Sequence, residues 1–444
     1  MLTLCLLLQA IPADRTADWS RAGVPEVPVR SRVVEVRGDP QEAIDAAQPD
    51  DILLLPAGMY DGLRLKSRIT LRGEGPSKTI IKGTLTIGLG GADWWYPHRL
   101  RVDVQGKRGV ESLRVSDSSK LKPGMVVQLA RDLQRQVTQI VSTTETHVTV
   151  SPAPLFDLPE GSALRPGGRM AEYVGVEDLG IEGAGRIGIW MAGAYGCWVK
   201  NVHVRNIDYA HIQMSDALFC EIRQCYVGSR TGDTGAGIQL ATSSFCRIED
   251  NVIVDTQLEV HASSGNVVAY NLFRDFEIYG VLGPAISSNA RPQSGFNLYE
   301  GNVAPKFQAD GHYGGGAHDT VFRNRLHGTS LDTPKSWICV NLSKSTRNAS
   351  IVGNVLGAPG HPWLYDEGKG NLIYSFGDPD ARATAIVKGN FNWKDAKVPE
   401  AEAVDPLPPS LYLKSKPAWW GAAAWPPFGP DVAFEKNKIP AETR

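Results

Sequence analysis

Proton-transfer chemistry has its best footing in two short stretches, LEVH and ADGH, which carry Glu259 with His261 and Asp310 with His312. An imidazole can act as a general base, and a pair of carboxylates can flank a glycosidic bond and hydrolyse it. Further polar or aromatic groups lie nearby in the chain: Trp190, His211, Gln213 and Gln239 in apolar-alternating segments, and Tyr209, Arg230, Asp233 and Tyr313 in the loops beside them. What matters is whether the fold brings them to one place.

A repeat does so. From Arg186 to Arg325 the chain falls into rows: RIGIWMAGAYGCWVKNVHV, AHIQMSDALFCEIRQCYV, GAGIQLATSSFCRIEDNVIV, LEVHASSGNVVAYNLF and ADGHYGGGAHDTVFRNRLHG. Cys197, Cys220 and Cys246 form one column. Asn201, Cys225, Asn251, Asn271, Asn302, Asn324, Asn354 and Asn390 form another, at spacings of 20–36 residues. Such a period with tolerated insertions predicts a solenoid. Short alternating runs of Val, Ile, Tyr and Phe make its elements strands, about three per row, stacked about 4.8 Å apart in parallel sheets. Chain chirality favours the right-handed coil, and Asn suits both a left-handed turn and an amide stack along the axis. The expected fold is an all-β, right-handed parallel β-helix.

Alternation sorts the first strand of each row. With Ile189, Ile212, Ile238, Val260 and Gly311 inward, one outward column reads Gly188, His211, Gly237, Glu259 and Asp310. A second reads Trp190, Gln213, Gln239, His261 and His312. Taken singly, each is an ordinary polar residue at an outward position. Three His with two carboxylates, two Gln and a Trp on one face is a cluster, and it makes Glu259, His261, Asp310 and His312 the candidate catalytic group. The turn RTGDTGAG would bring Arg230 or Asp233 over the sheet, although a plain Gly-rich turn accounts for it equally well. His203, His318, His327 and His361 stand alone. No C-x-x-C or H-x-x-x-H pattern suggests zinc; calcium would draw on Glu259, Asp310, Asp233 and Asp208.

The 46 Gly, 29 Pro and 21% charged residues among 444 suit a turn-rich β protein, and the net charge of −2 offers no basic field for nucleic acid. No apolar stretch is long enough to span a membrane. Residues 1–13 have an apolar run, Leu2 to Leu8, with Ala10 and Ala13 as small residues for cleavage, but no basic start. They read as a shortened signal peptide, implying a secreted or periplasmic protein, or else as a tail. The stacked Cys would point the same way, a poor disulfide geometry, so buried thiols are expected.

Residues 33–89 open with Asp39 and Pro40 at the start of a short amphipathic helix that can cover the first coil, then PDDILLLPAGMYDG and ITLRGEG. This pattern resembles the N-terminal cap and first coils of the right-handed parallel β-helix, or pectate lyase-like, superfamily, and the rows extend the resemblance over about two thirds of the chain. Residues 90–169 break the rhythm and read as an inserted β-subdomain; 170–395 resume it. The Pro- and Trp-rich residues 396–444 read as an extended tail with Trp419, Trp420 and Trp425 packed on the solenoid.

The resemblance implies a polysaccharide bound in a groove along one sheet. A lyase acting on a uronic-acid polymer would use His261 or His312 as base, Arg230 to neutralise the sugar carboxylate, and Tyr209 or Tyr313 as proton donor. An inverting hydrolase would use Glu259 and Asp310, two rows or about 9.6 Å apart. A non-catalytic carbohydrate-binding, adhesin- or tailspike-like body is the third reading. The vWiDH and vxRxPxxR blocks of classical pectate lyases are absent, as is the RIK motif of polygalacturonases, where CRIEDN has Glu249 in place of the Lys. That weakens pectin as the substrate.

Overall fold

The computed structural model describes residues 11–88, 101–183, 185–230, 235–274, 276–278, 281–288, 293–311, 314–328, 338–359, 373–402 and 406–444. Three parallel sheets wind through it: sheet A with 12 strands from Arg32–Glu35 to Ile386–Lys388, sheet B with 11 from Gly58–Asp61 to Phe391–Asn392, and sheet C with 10 from Arg64–Leu65 to Tyr374–Phe376. Each coil visits A, B and C in turn, as in Trp198–Lys200, His203–Ile207 and Ala210–Ser215. One apolar core runs the length of the solenoid, built from inward residues such as Val199, Val204 and Ile212. The capping helix spans Pro40–Ala46, its first turn closed by Asp39 accepting from the amides of Gln41 and Glu42. Cys197, Cys220, Cys225, Cys246 and Cys339 are buried free thiols.

The asparagine column is a continuous ladder, with two corrections. From Asn251 through Asn271, Asn302 and Asn324 to Asn354, each residue donates its amide N–H and its side-chain Nδ2 to the Oδ1 of the next, and the run ends on Asn390. Asn201, however, is one residue out of register. Its strand partner across the turn is Gln224, and its Nδ2 bonds Asp178 at 2.6 Å. Nor do the ladder asparagines take up the left-handed turn. The residue before each does, with φ of 57° at Asp250, 56° at Tyr270 and 51° at Arg323. Asn is required here for its amide, which is fully buried and must be paired. A second ladder continues the cysteine column: Asn266 and Asn297 stack in the same way and end on Asp319, whose other oxygen accepts from Ser288.

The insert is a closed six-stranded antiparallel barrel: Val126–Arg131, Gln134–Thr143, His147–Ser151, Ser112–Val115, Val102–Gln105 and Ala163–Pro166, in that order around the wall. It leaves the solenoid after the sheet C strand Leu85–Gly88, and Ala171–Glu172 begins the return. Its core merges with Leu218, Phe219, Phe245 and Phe296 on the turns between sheets C and A, so the barrel is docked on the coils rather than tethered to them.

The C-terminal tail, broken by 3-10 turns at Ala418–Trp420, Phe434–Lys436 and Pro440–Thr443, packs on the solenoid: Trp420, Phe428, Phe434 and Ile439 cover Tyr270, Val303 and Val352, and Ile11 and Trp19 from the chain start join the same cluster. Buried Arg323 clamps it, donating to the carbonyls of Leu407, Pro408 and Phe428 and, in a fork, to both oxygens of Asp431. Arg323→Met leaves those acceptors unpaired under an apolar side chain, so we expect a loss on the order of 3 kcal/mol and early protease cleavage within 406–444. Equal protease resistance of variant and parent would refute the clamp.

Burial also sets a pH dependence. Desolvation pushes Glu300 up to about 7, against hydrogen bonds from Leu411, Ser410 and Tyr270, and pushes Asp319 up to about 6. Raised acids bind more protons folded than unfolded, so their contribution is fully present below the unfolded values and is lost as pH rises toward 6–7. The Glu300 share is about 3 kcal/mol. The melting temperature should fall from pH 5 to pH 8, and Glu300→Gln should flatten that slope, since an amide can accept from Leu411 and donate to the Tyr270 hydroxyl.

Candidate functional site

Sheet C carries the candidate residues Gln239, Glu259 and His261, but in a register two residues removed from the one alignment suggests. Gln257–His261 pairs with Ala236–Ala241 so that Leu258 sits opposite Ile238 and Val260 opposite Leu240, with an irregularity between Ala236 and Ile238. A two-residue slip preserves which side chains point inward, so alternation could not detect it. Glu259 therefore belongs to the column Trp190, Gln213, Gln239, Glu259, Ser287, Gln308, Asn341 and Ser375, while His261 sits opposite Ala241 and Ser215.

The same irregularity removes His211 from the face. Positions 188, 211 and 237 are skipped in the pairing, and a Cβ on Gly188 or Gly237 would strike the core residues Val204 or Val227. Such a bulge turns two neighbouring side chains to one side. His211 is accordingly only 1% exposed, its Nε2 at 2.9 Å from the carbonyl oxygen of Gly228 on sheet B.

Asp310 follows the strand Phe307–Ala309, its amide bonded to the carbonyl of Ser288. It falls in the column of His261, not that of Glu259. Two rows and two residues separate the Glu259 and Asp310 backbones, roughly 12 Å. Arg230 ends the sheet B strand Tyr226–Arg230. Asp233, His312 and Tyr313 lie outside the described residues.

The remaining candidates converge. The barrel hairpin formed by Val126–Arg131 and Gln134–Thr143 overhangs sheet C, and between them lies a cleft of about 350 Å³ lined by Leu133, Arg135, Tyr209, Gln213, Gln239 and His261, among others. On its floor, Gln239 Nε2 donates to Glu259 Oε2 at 2.9 Å and to the Tyr209 hydroxyl at 3.2 Å, and Gln257 Nε2 donates to Glu259 Oε1 at 2.6 Å. His261 Nε2 stands 3.1 Å from Glu259 Oε2, an ion-pair distance without hydrogen-bond alignment. The Arg186 guanidinium lies over the Tyr209 ring at 5.2 Å. Trp190 lies in the same column as Gln213, with its indole N–H buried and unbonded.

Arg135 is the lining residue that sequence reading missed. Nothing in the insert's own pattern says which coil the barrel docks against. Among the described residues no three His, Cys, Asp or Glu side chains converge as metal ligands, and no helix is long and apolar enough to cross a membrane.

Stacked parallel sheets with an asparagine ladder define the class, a right-handed parallel β-helix, and the family model for the right handed beta helix region matches residues 171–303. The chain thus has the expected right-handed parallel β-helix fold. Among solved structures it is similar to the tailspike gp61 of Pseudomonas phage phi297, with 13% identity and a TM-score of 0.51 over 76% of this chain and 65% of that one. An alginate lyase from Paenibacillus sp. str. FPU-7 matches with 13% identity and a TM-score of 0.39, over 78% of this chain and 98% of that one. At such identities the likeness is one of fold, and this chain spans 65% of the tailspike's length. No curated protein matches the sequence.

Proposed function

We propose that the protein is a carbohydrate-active β-helix that cleaves a uronic-acid-containing polysaccharide by β-elimination in the cleft over sheet C. The observation that carries this reading is the floor of that cleft, where Tyr209, Gln239 and Glu259 are joined by hydrogen bonds and His261 Nε2 stands 3.1 Å from the same Glu259 oxygen. With Nε2 protonated and facing Glu259, the imidazole keeps its lone pair at Nδ1, and a small ring rotation completes the bond to the carboxylate. His261 can then take the proton from the carbon next to the sugar carboxylate. Those electrons form the carbon–carbon double bond, the neighbouring carbon–oxygen bond breaks, and the leaving oxygen takes a proton from Tyr209. The Tyr209 hydroxyl accepts from Gln239, which leaves its own proton for a ligand.

Hydrolysis is the weaker reading. Both Glu259 oxygens are engaged, and Asp310 lies two rows and two residues away in a different column, with its backbone roughly 12 Å from that of Glu259. The test is a panel of uronic-acid and neutral polysaccharides, followed by ultraviolet absorbance of the unsaturated product and by reducing ends. Reducing ends without absorbance would favour hydrolysis. Neither signal on any polymer would leave a non-catalytic carbohydrate-binding body.

A further inference from the structure

The cleft has a roof as well as a floor, and the roof is where its positive charge lies. Arg135 sits just past the two-residue turn at Asp132 and Leu133 that joins the barrel strands. Its position is tied to the solenoid: Ser264 Oγ donates to the Arg135 carbonyl at 3.0 Å, and the Val137 amide donates to Ser244 Oγ at 2.9 Å. Ser264 is three residues past His261, so one stretch of chain sets both the base and the arm above it.

The guanidinium is half-buried, and its recorded bonds, both from Nη1, go to the carbonyls of Asp132 and Gln134 at 2.8 and 2.7 Å. Among the described residues no carboxylate forms an ion pair with it; Asp132 leans instead toward Arg131, at 3.8 Å. The carboxylate on the floor, Glu259, is committed to Gln239, Gln257 and His261. Burial presses hardest against the charge of Arg135 and Arg165 adds to it, together outweighing the attraction of Asp132, so its pKa is lowered. A half-buried cation that makes no direct ion pair, whose neighbouring carboxylate Asp132 turns toward Arg131, and that faces a cleft is suited to an anion.

We propose that Arg135, delivered by the inserted barrel, recognises the sugar carboxylate, which makes the barrel the element that selects acidic over neutral polysaccharide. This rests on the reading of the cleft as a saccharide site but not on its chemistry. The floor supplies neutral amide and hydroxyl groups that any sugar can meet, while the roof supplies a planar fork matched to a carboxylate.

The test is calorimetric titration of His261→Ala protein, which binds without turnover, with oligomers of mannuronate, guluronate, galacturonate and glucuronate, and with the same oligomers after reduction of their carboxyl groups. At least one uronate oligomer should bind about tenfold or more tightly than its reduced form. Adding Arg135→Gln should weaken the acidic ligand about 10–100-fold while leaving the reduced one unchanged. Arg135→Lys should restore part of the difference, and thermal melts would verify that both variants fold. Binding of no uronate, or equal weakening of acidic and reduced ligands by Arg135→Gln, would overturn the proposal. Arg135-dependent uronate binding with no unsaturated product from the parent protein would sink the lyase reading and leave this one standing; unsaturated product untouched by Arg135→Gln would do the reverse.

Discussion

His261→Ala should lower the rate of unsaturated-product formation by about 10²–10⁴-fold, the range over which a positioned general base contributes. The reasoning is local. His261 is one of the residues lining the cleft, it is 7% exposed, and its second nitrogen faces a carboxylate that two glutamines already hold in place. Glu259→Gln should act through the histidine, removing the charge that favours the Nε2-protonated ring, and should cost less than His261→Ala. Tyr209→Phe removes the proton donor but keeps the ring under Arg186, so its loss should fall on turnover more than on substrate binding. The variants touch no inward residue of the coil core, and parent-like melting curves are expected. Activity within about twofold of the parent in a folded His261→Ala protein would remove this residue from the mechanism.

Both the success and the failure of the sequence reading trace to what a repeat can encode. The coil period, the amide ladder from Asn251 onward and the inward column through Ile189, Ile212 and Ile238 were legible because each row repeats the same physical demand: bury an apolar side chain, satisfy an amide, turn; past Ile238 that column continues with Leu258 and Phe307, not Val260 and Gly311. Register along sheet C was not, because Leu258-Glu259-Val260-His261 keeps the same inward and outward sides after a two-residue slip. His211 was misplaced for a related reason. A bulge before Ile212 sends it inside, and the only hint was that its column neighbours, Gly188 and Gly237, have no side chain to place. Arg135 could not have been found at all. Its link to His261 is tertiary, made by Ser244, Ser264 and the phenylalanines under the barrel.

The ladder provides the largest stability effect we expect. Asn302 is fully buried; its Oδ1 accepts from the amide and the side chain of Asn271, and its Nδ2 donates to the Val268 carbonyl and to Asn324 Oδ1. Asn302→Ala therefore strands a backbone N–H, a side-chain N–H and a carbonyl at once in the coil interior. At about 1–3 kcal/mol for each unmet group, partly relieved by relaxation, the loss should reach about 3–5 kcal/mol. Asn201→Ala is the control. It removes an asparagine of the same apparent column that bonds a partly exposed Asp178 and sits at a φ of 50°, so Ala should cost about 1–2 kcal/mol, most of it from the left-handed backbone. Stability in a solenoid is carried from coil to coil, so the break should also lower cooperativity, separating the coils before Asn302 from those after it into two denaturant transitions. Equal midpoints for Asn302→Ala and Asn201→Ala would mean that the amides merely occupy the turn, and that the interlocking of coils beneath the cleft rests on apolar packing alone.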